Sequence, residues 1–180
     1  MANLQQAKTL SEIIGTWVTI AGAFVAGIIA LLGYSRHVAD SRVAETLKYV
    51  ERFQKPPVFD ARSRIHKAWY TRLDEVDKIL TSSEKYDAEE IVDELNRFVI
   101  KLVESNELQV DLLLLVDFFE SIVICYKGKI CDRDVATSFF YSHAHLSWNR
   151  HGPYINYLRD RLNDERIAQG FEEFVRGQEQ

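Results

Sequence analysis

The fold follows from one uncharged run, IIGTWVTIAGAFVAGIIALLGY, at residues 13–34. A helix rises about 1.5 Å per residue, so this run reaches roughly 33 Å, and the hydrocarbon core of a bilayer is about 30 Å thick. The run therefore predicts one transmembrane helix. A cleaved secretory signal is the alternative, since Ala21, Gly22 and Ala23 resemble a cleavage site, but the apolar run continues well beyond them.

Basic residues beside the run indicate its orientation, because Lys and Arg near a span are retained on the cytoplasmic side. Only Lys8 precedes the run, whereas five bases follow it closely: Arg36, Arg42, Lys48, Arg52 and Lys55. We expect the amino terminus outside and the rest of the chain in the cytoplasm. Cys125 and Cys131 are then expected to be small buried free thiols, because a reducing compartment preserves them and their spacing is not that of a CxxC pair.

Small residues occupy one face of the predicted span at 100° per residue. They are Gly15, Thr19, Gly22, Ala23, Ala26, Gly27, Ala30 and Gly33. Small side chains let two helices approach closely in lipid, which predicts packing against another transmembrane helix, from a second copy or from a larger membrane complex. The alternative is that Gly and Ala are simply common in membrane helices.

Charge is distributed unevenly behind the span. Residues 36–72 hold nine bases and four acids, whereas residues 73–180 hold twelve bases and twenty-two acids. Arg36, Arg42 and Lys48 are therefore candidate contacts for anionic lipid headgroups, or else a merely solvated basic face. The acidic distal part argues against a nucleic-acid partner.

Helical spacing of the apolar residues predicts an all-α protein, with one transmembrane helix followed by a bundle of about five to six helices. The predicted divisions are an outer tail (1–12), the span (13–34), a basic juxtamembrane helix (35–57), a cytoplasmic helical domain (58–176) and a tail (177–180). The juxtamembrane helix should end near Phe53, before Pro56 and Pro57. One helix is expected over residues 60–80, and the next should begin at Asp87, with Glu90 completing a capping box.

A strongly apolar helix over residues 108–126 is predicted to be the centre of the bundle. A second membrane span is the alternative, but Asp111, Asp117 and Glu120 would each be costly in lipid. Gly128 should close this helix, and Asp132 should cap the next one. Gly152 and Pro153 predict a further break, before a last helix over residues 154–175.

Three histidines form the nearest approach to a metal site. His143 and His145 are two residues apart, so on a helix they point about 200° away from each other, whereas paired ligands need a spacing of three or four. We therefore predict structural histidines, His151 included, with no metal and no other cofactor. Nucleotide-binding and familiar hydrolase motifs do not occur in the sequence, which favours a protein that is not an enzyme.

Asp117 and Glu120 share one helix face, and such carboxylates either divide acid and base roles or hold a bundle in register. We favour a buried polar network that includes Arg159. Trp148, Asn149 and Arg150 fall in a predicted inter-helix connection, and exposed Trp and Arg are enriched at interface hot spots. They are the candidate contact surface for a protein partner.

Several short motifs follow the span in order: Phe118-Phe119-Glu120, Lys127-Gly128-Lys129-Ile130 leading to Asp132, Phe139-Phe140, and Tyr157-Leu158-Arg159. Over residues 42–162 this order resembles small bacterial proteins with one amino-terminal span and a helical domain of unknown function. The resemblance implies a bacterial inner-membrane setting and a pairing of Glu120 with a late arginine, and it carries no activity.

Two functions follow as the main expectations, and a metal-dependent enzyme, which would require His143 or His145 to converge with Glu120, is a third alternative. The first is a non-enzymatic accessory subunit or scaffold of a membrane complex, which assembles through the small-residue face. The second is a membrane-tethered sensor or effector whose helical domain binds a small ligand and switches oligomeric state. A solvent-accessible pocket that contains a histidine with Asp117 and Glu120 would favour the second.

Overall fold

Seven helices make up the described part of the chain in a computed structural model, which describes the backbone at residues 2–81 and 87–177 and the side chains at 24–81 and 87–177. These residues contain no strand, so the predicted all-α class is confirmed for them. The helices are α1 (Ala2–Phe53), α2 (Val58–Tyr70), α3 (Leu73–Thr81), α4 (Ala88–Ser105), α5 (Gln109–Lys127), α6 (Arg133–Leu162) and α7 (Gln169–Arg176).

The chain divides into two units, Met1–Ser41 and Arg42–Gln180. Within the described residues, no helix has the length and apolar character needed to cross a bilayer, so the predicted transmembrane helix finds no support there. The side chains of residues 13–23, which form the first half of the predicted span, lie outside the described residues. Those of residues 24–34 are exposed.

Local capping sets several helix ends where the sequence predicts them. The Asp87 carboxylate accepts the backbone N–H groups of Glu89 and Glu90, and the Glu90 side chain returns to the Asp87 N–H, so the predicted capping box is confirmed. Asp132 accepts the N–H of Val135 at 2.9 Å and begins α6. These helix starts depend on side chains within one turn, which is why they can be recognised in sequence.

Three predicted helix boundaries are wrong. The expected last helix over residues 154–175 is divided between the end of α6 at Leu162 and α7, which begins at Gln169. The expected helix over residues 60–80 is divided into α2 and α3, because the Thr71 hydroxyl donates to the Ala68 carbonyl at 2.9 Å and the chain turns there. Conversely, Gly152 and Pro153 do not interrupt α6. Their neighbours His151, Tyr154 and Ile155 are all buried, so packing outweighs the backbone hydrogen bond that a proline removes.

The core of the second unit is aromatic and centres on α5, as predicted. Phe118 and Phe119 of α5 are fully buried, and α5 packs against α2, α6 and α7. Phe53, the last residue of α1, lies 5.1 Å from Phe118 between ring centroids, and Phe119 stacks on Phe171 of α7 at 4.6 Å. Offset and edge-on ring pairs add to the burial energy, so these contacts hold the end of α1 and the start of α7 against the middle of α5.

Cys125 and Cys131 form a disulfide, with 5.2 Å between their Cα atoms. The expectation of free thiols is therefore wrong. Lys129 adopts a positive φ of 58°, and the N–H of Cys131 donates to the carbonyl of Cys125. This tight return after Gly128, the residue that caps α5 as predicted, brings the two sulfur atoms together.

Thr46 connects α1 to the start of α6. Its hydroxyl oxygen accepts the N–H of Asp132 at 2.9 Å and its hydroxyl lies 2.9 Å from the carbonyl of Arg42. Thr46 is almost fully buried. The Thr46 hydroxyl therefore has a hydrogen-bond partner in α1 and another at the start of α6. These two bonds hold the start of α6 beside the last turns of α1.

Candidate functional site

A cavity of about 350 Å³ lies in the second unit between α2 and α6, with α5 beneath it. Two helical stripes face each other across it, because both helices contribute residues at the spacing i, i+3, i+4, i+7. The volume falls within the range of small-molecule sites. The lining residues are Phe53, Phe59, Arg62, Ser63, Ile65, His66, Leu115, Phe119, His143, Leu146, Ser147, Arg150 and His151.

Arg62 of α2 is a half-buried cation in this cavity. Its guanidinium carbon lies 3.7 Å from the centroid of the Phe53 ring, and its Nη1 donates to the Phe53 carbonyl at 3.2 Å. Burial lowers the pKa of Arg62 from its ordinary value. An arginine on an aromatic face keeps its charge while part of its hydration is lost, so the group is prepared to accept an anion.

Arg150 of α6 supplies a second cation. Its guanidinium carbon lies 5.6 Å from the centroid of the Trp69 ring. Among the described residues, no carboxylate lines the cavity, so the pocket expected to join a histidine to Asp117 and Glu120 is not formed there. Within the same residues, no carboxylate forms an ion pair with Arg62 or Arg150 either. The lining is therefore positive and apolar.

His151 is held as a neutral imidazole. It is 4% exposed, its Nδ1 donates to the Ser147 carbonyl at 2.9 Å, and its Nε2 accepts from the indole N–H of Trp69 at 2.9 Å. Burial lowers the pKa of His151 to about 4, and the charge of Arg150 acts in the same direction. Protonation at Nε2 would place a second donor against the indole N–H of Trp69. The surrounding contacts therefore favour the neutral tautomer with its proton on Nδ1.

His143 lies at the other end of the stripe, against an aromatic wall. Its ring centroid is 5.1 Å from that of Phe53. Partial burial lowers the pKa of His143, and the charge of Arg62 lowers it further. In the part of the chain that the structure describes, no three potential metal ligands converge, and neither His143 nor His145 joins such a group.

The Ser147 hydroxyl is the least satisfied polar group of the cavity wall. Ser147 is 8% exposed, and its Oγ is buried without a hydrogen-bond partner. A buried hydroxyl without a partner costs about 1 to 3 kcal/mol. Because the oxygen itself has almost no accessible surface, it lies behind the cavity wall and does not face the open space.

The predicted polar network of Asp117, Glu120 and Arg159 is not formed in the described residues. Asp117 is exposed. Glu120 accepts the backbone N–H of Phe171 at 2.8 Å and so caps the first turn of α7. Arg159 is buried and pairs with Glu172 at 2.9 Å, so its carboxylate partner comes from α7 instead of α5.

The predicted contact surface is also divided. Trp148, Asn149 and Arg150 lie inside α6, and not in a connection between helices. Arg150 lines the cavity, whereas Trp148 and Asn149 line a separate depression with Asn156 and Tyr157. Successive residues on a helix point about 100° apart, so three consecutive residues cannot share one face.

The small-residue face and the basic headgroup contacts are only partly described. The side chains of Gly15, Thr19, Gly22 and Ala23 lie outside the described residues, whereas Ala26, Gly27, Ala30 and Gly33 are exposed. A Cβ placed on Gly27 or Gly33 would meet nothing within 4 Å. Of the headgroup candidates, Arg36 is exposed, Lys48 pairs with Glu45, and the Nε of Arg42 is buried without a partner.

Sequence reasoning missed Arg62, Ser63 and Ser147 as site residues. The available signal was the matched stripe at 59, 62, 63 and 66 on α2 and at 143, 146, 147 and 150 on α6. Each stripe mixes apolar and basic residues, as an ordinary solvent-exposed helix face does. Only the position of the other helix shows that the two stripes line one cavity.

Comparison with known proteins gives one family. A family model described as a domain of unknown function, DUF4760, matches residues 18–177. No curated protein matches the chain, and no solved structure matches it.

Proposed function

Since the chain belongs to the DUF4760 family, a domain of unknown function, we propose from the cavity that its helical unit is a non-enzymatic ligand-binding sensor. A small molecule enters between α2 and α6, and its binding changes how the chain assembles. The observation that carries the proposal is a cavity of about 350 Å³ whose wall combines apolar rings with Arg62 and Arg150, which have no carboxylate partner among the described residues. A mostly apolar pocket with a few polar groups in its wall is the usual form of a small-molecule site.

Binding without catalysis is supported by the way the nearby imidazole is occupied. A nucleophilic serine needs a base whose free nitrogen faces the hydroxyl. The Nε2 of His151 instead accepts from Trp69, and its Nδ1 donates to the main-chain carbonyl of Ser147. Neither nitrogen is available to activate the Ser147 hydroxyl.

Native mass spectrometry of the full-length protein tests this proposal. The protein is purified at its natural level in a mild detergent, and a retained small molecule is expected as a mass adduct. Leu146→Trp should remove the adduct, because Leu146 lines the cavity and is half exposed. Leu162→Trp is the matched control, since Leu162 is an exposed leucine of the same helix outside the lining. An adduct unaffected by Leu146→Trp would contradict the proposal.

Attachment of this unit to the bacterial inner membrane through residues 13–34 is part of the same proposal. It is supported by the uncharged run and by the exposure of Phe24, Leu31 and Tyr34, which are 72%, 69% and 70% exposed. The protein should remain with membranes after alkaline extraction. Ile28→Arg should release it, because a charge near the centre of a span is costly, whereas Leu47→Arg outside the run should not. Extraction of the unaltered protein would argue against the anchor.

The side of the membrane that carries the helical unit is testable with its cysteines. The basic flank of the run favours the cytoplasm, but the disulfide between Cys125 and Cys131 is favoured by an oxidising compartment. Proteins denatured directly in acid are labelled with a maleimide before and after reduction. Labelling only after reduction would contradict the cytoplasmic orientation.

A second candidate function is an accessory subunit or scaffold of a membrane complex. It is supported by the small residues on one face of the run and by the open space around Gly27 and Gly33. Replacing Gly22 and Ala26 by leucine should disrupt assembly, whereas Ala21→Leu, off that face, should not. Stoichiometric co-purification with a larger complex, lost in the double variant, would favour this function over the sensor.

A further inference from the structure

The two arginines of the cavity have no carboxylate partner among the described residues, whereas six of the twelve arginines in the same unit do. Six arginines pair with acids in the described residues: Arg64, Arg72, Arg97, Arg159, Arg166 and Arg176. Arg62 and Arg150 instead lie over the rings of Phe53 and Trp69. An aromatic face holds a guanidinium in place without neutralising it, so both charges remain available to the cavity.

The remaining walls are apolar. Phe53, Phe59, Ile65, Leu115 and Phe119 supply ring and aliphatic surfaces beside the two cations. A ligand that satisfies both kinds of wall has an anionic end and an apolar body. A cationic ligand would instead meet two like charges with no acid to offset them.

The volume limits the size of the ligand. At the packing density of protein interiors, a cavity of 350 Å³ holds roughly 10 to 15 non-hydrogen atoms. This is the size of a small aryl or alkyl carboxylic acid and is much smaller than a diacyl lipid. A planar carboxylate also matches the fork of a guanidinium, which can donate two parallel hydrogen bonds to it.

We propose that the cavity binds a small monocarboxylate with an apolar aryl or alkyl body, recognised through Arg62 and Arg150. The carboxylate takes hydrogen bonds from the guanidinium groups. The apolar body lies against Phe53, Leu115 and Phe119. This inference rests on the proposed ligand-binding function and adds the chemical class of the ligand.

The test uses three probes of one shape and different charge: 4-phenylbutyrate, 4-phenylbutanamide and 4-phenylbutylamine. They are titrated calorimetrically into the full-length protein in phosphatidylcholine nanodiscs at pH 7.5. The acid is expected to bind at least tenfold more tightly than the amide, and the amine is expected not to bind. Leu146→Trp should abolish binding of every probe by filling the cavity.

Charge variants identify the recognition groups. Arg62→Gln and Arg150→Gln should each weaken the acid at least tenfold and change binding of the amide by less than twofold. Lys67→Gln is the matched control, because it makes the same charge change on α2 at an exposed residue outside the lining. Arg62→Lys, which keeps the charge without the fork, should retain part of the affinity and guards against a folding defect in Arg62→Gln.

The outcomes separate the ligand class from the proposed function. Equal or tighter binding of the amide or the amine, still abolished by Leu146→Trp, would overturn the carboxylate and leave a ligand-binding cavity. Acid binding that is unchanged by Leu146→Trp would overturn the location of the site. Failure of all three probes to bind would overturn the inference. The native mass spectrometry experiment would then test the sensor function independently.

Discussion

Replacing His151 by glutamine should remove a specific loss of stability in acid. His151 is buried and neutral, and its Nε2 accepts from the indole of Trp69. Burial lowers its pKa in the folded protein to about 4, against an ordinary value of 6.5. Glutamine does not titrate in this range and can still place an acceptor and a donor near the same two groups.

The sign of the effect follows from which state binds the proton. Above pH 6.5 the imidazole is neutral in both states, so its stabilising contribution is complete. Between pH 6.5 and pH 4 the unfolded chain takes up the proton and the folded protein does not, which favours unfolding. At 1.36 kcal/mol per pH unit, His151 lowers the free energy of unfolding by about 2 kcal/mol at pH 5 and by about 3 kcal/mol at pH 4.

Urea denaturation of both proteins at pH 7.5, 6, 5 and 4.5 provides the measurement. All other residues are the same in the two proteins, so the difference between the two unfolding free energies isolates His151. The free energy of unfolding of the wild type minus that of His151→Gln should fall by about 2 kcal/mol between pH 7.5 and pH 5. Parallel curves for the wild type and His151→Gln would refute the reasoning. Trp69→Phe, which removes the donor opposing protonation, should reduce the dependence without abolishing it.

Three further changes test the contacts that fix the helices. Gly170→Ala should lower the free energy of unfolding by about 1 kcal/mol, because the new Cβ would collide with the Glu120 carboxylate and displace this cap of α7. In a Glu120→Ala background, urea denaturation should show almost no further loss. Thr46→Val should lower the free energy of unfolding by about 1 kcal/mol, because the Asp132 N–H loses its hydroxyl acceptor and keeps only the Arg42 carbonyl at 3.3 Å; an unchanged denaturation midpoint would contradict this role. Cys131→Ala should lower the free energy of unfolding by about 2 kcal/mol, because it removes the disulfide. A reductant should lower the free energy of unfolding of the wild type to the same value and leave that of the variant unchanged.

Much of the all-α fold could be predicted because its signals are local. A proline pair after Phe53 ends α1, and carboxylates at Asp87 and Asp132 begin α4 and α6. Each signal acts within about one turn of helix, so no knowledge of the partner helix is needed. The break at Thr71 and the continuity of α6 through Pro153 depend on competing hydrogen bonds and on packing, which helical periodicity does not report.

The cavity could not be predicted for a related reason. Arg62 and Arg150 are far apart in sequence, and only the packing of α2 beside α6 places them in one lining. Arg159 shows the same limit. The sequence predicts that Arg159 is buried and paired with a carboxylate. The position of α7 places Glu172 beside it, so Glu172 and not Glu120 is its partner. The charged groups can be recognised in the sequence, but which of them pair depends on how the helices pack.

Arg62 performs two tasks with one guanidinium. One of its N–H groups closes the last turn of α1 by donating to the carbonyl of Phe53, and the same group faces the cavity. A carboxylate that binds Arg62 as proposed would lie on the guanidinium that secures this helix end. Its binding and the fraying of α1 would then be thermodynamically linked through the junction at Phe53.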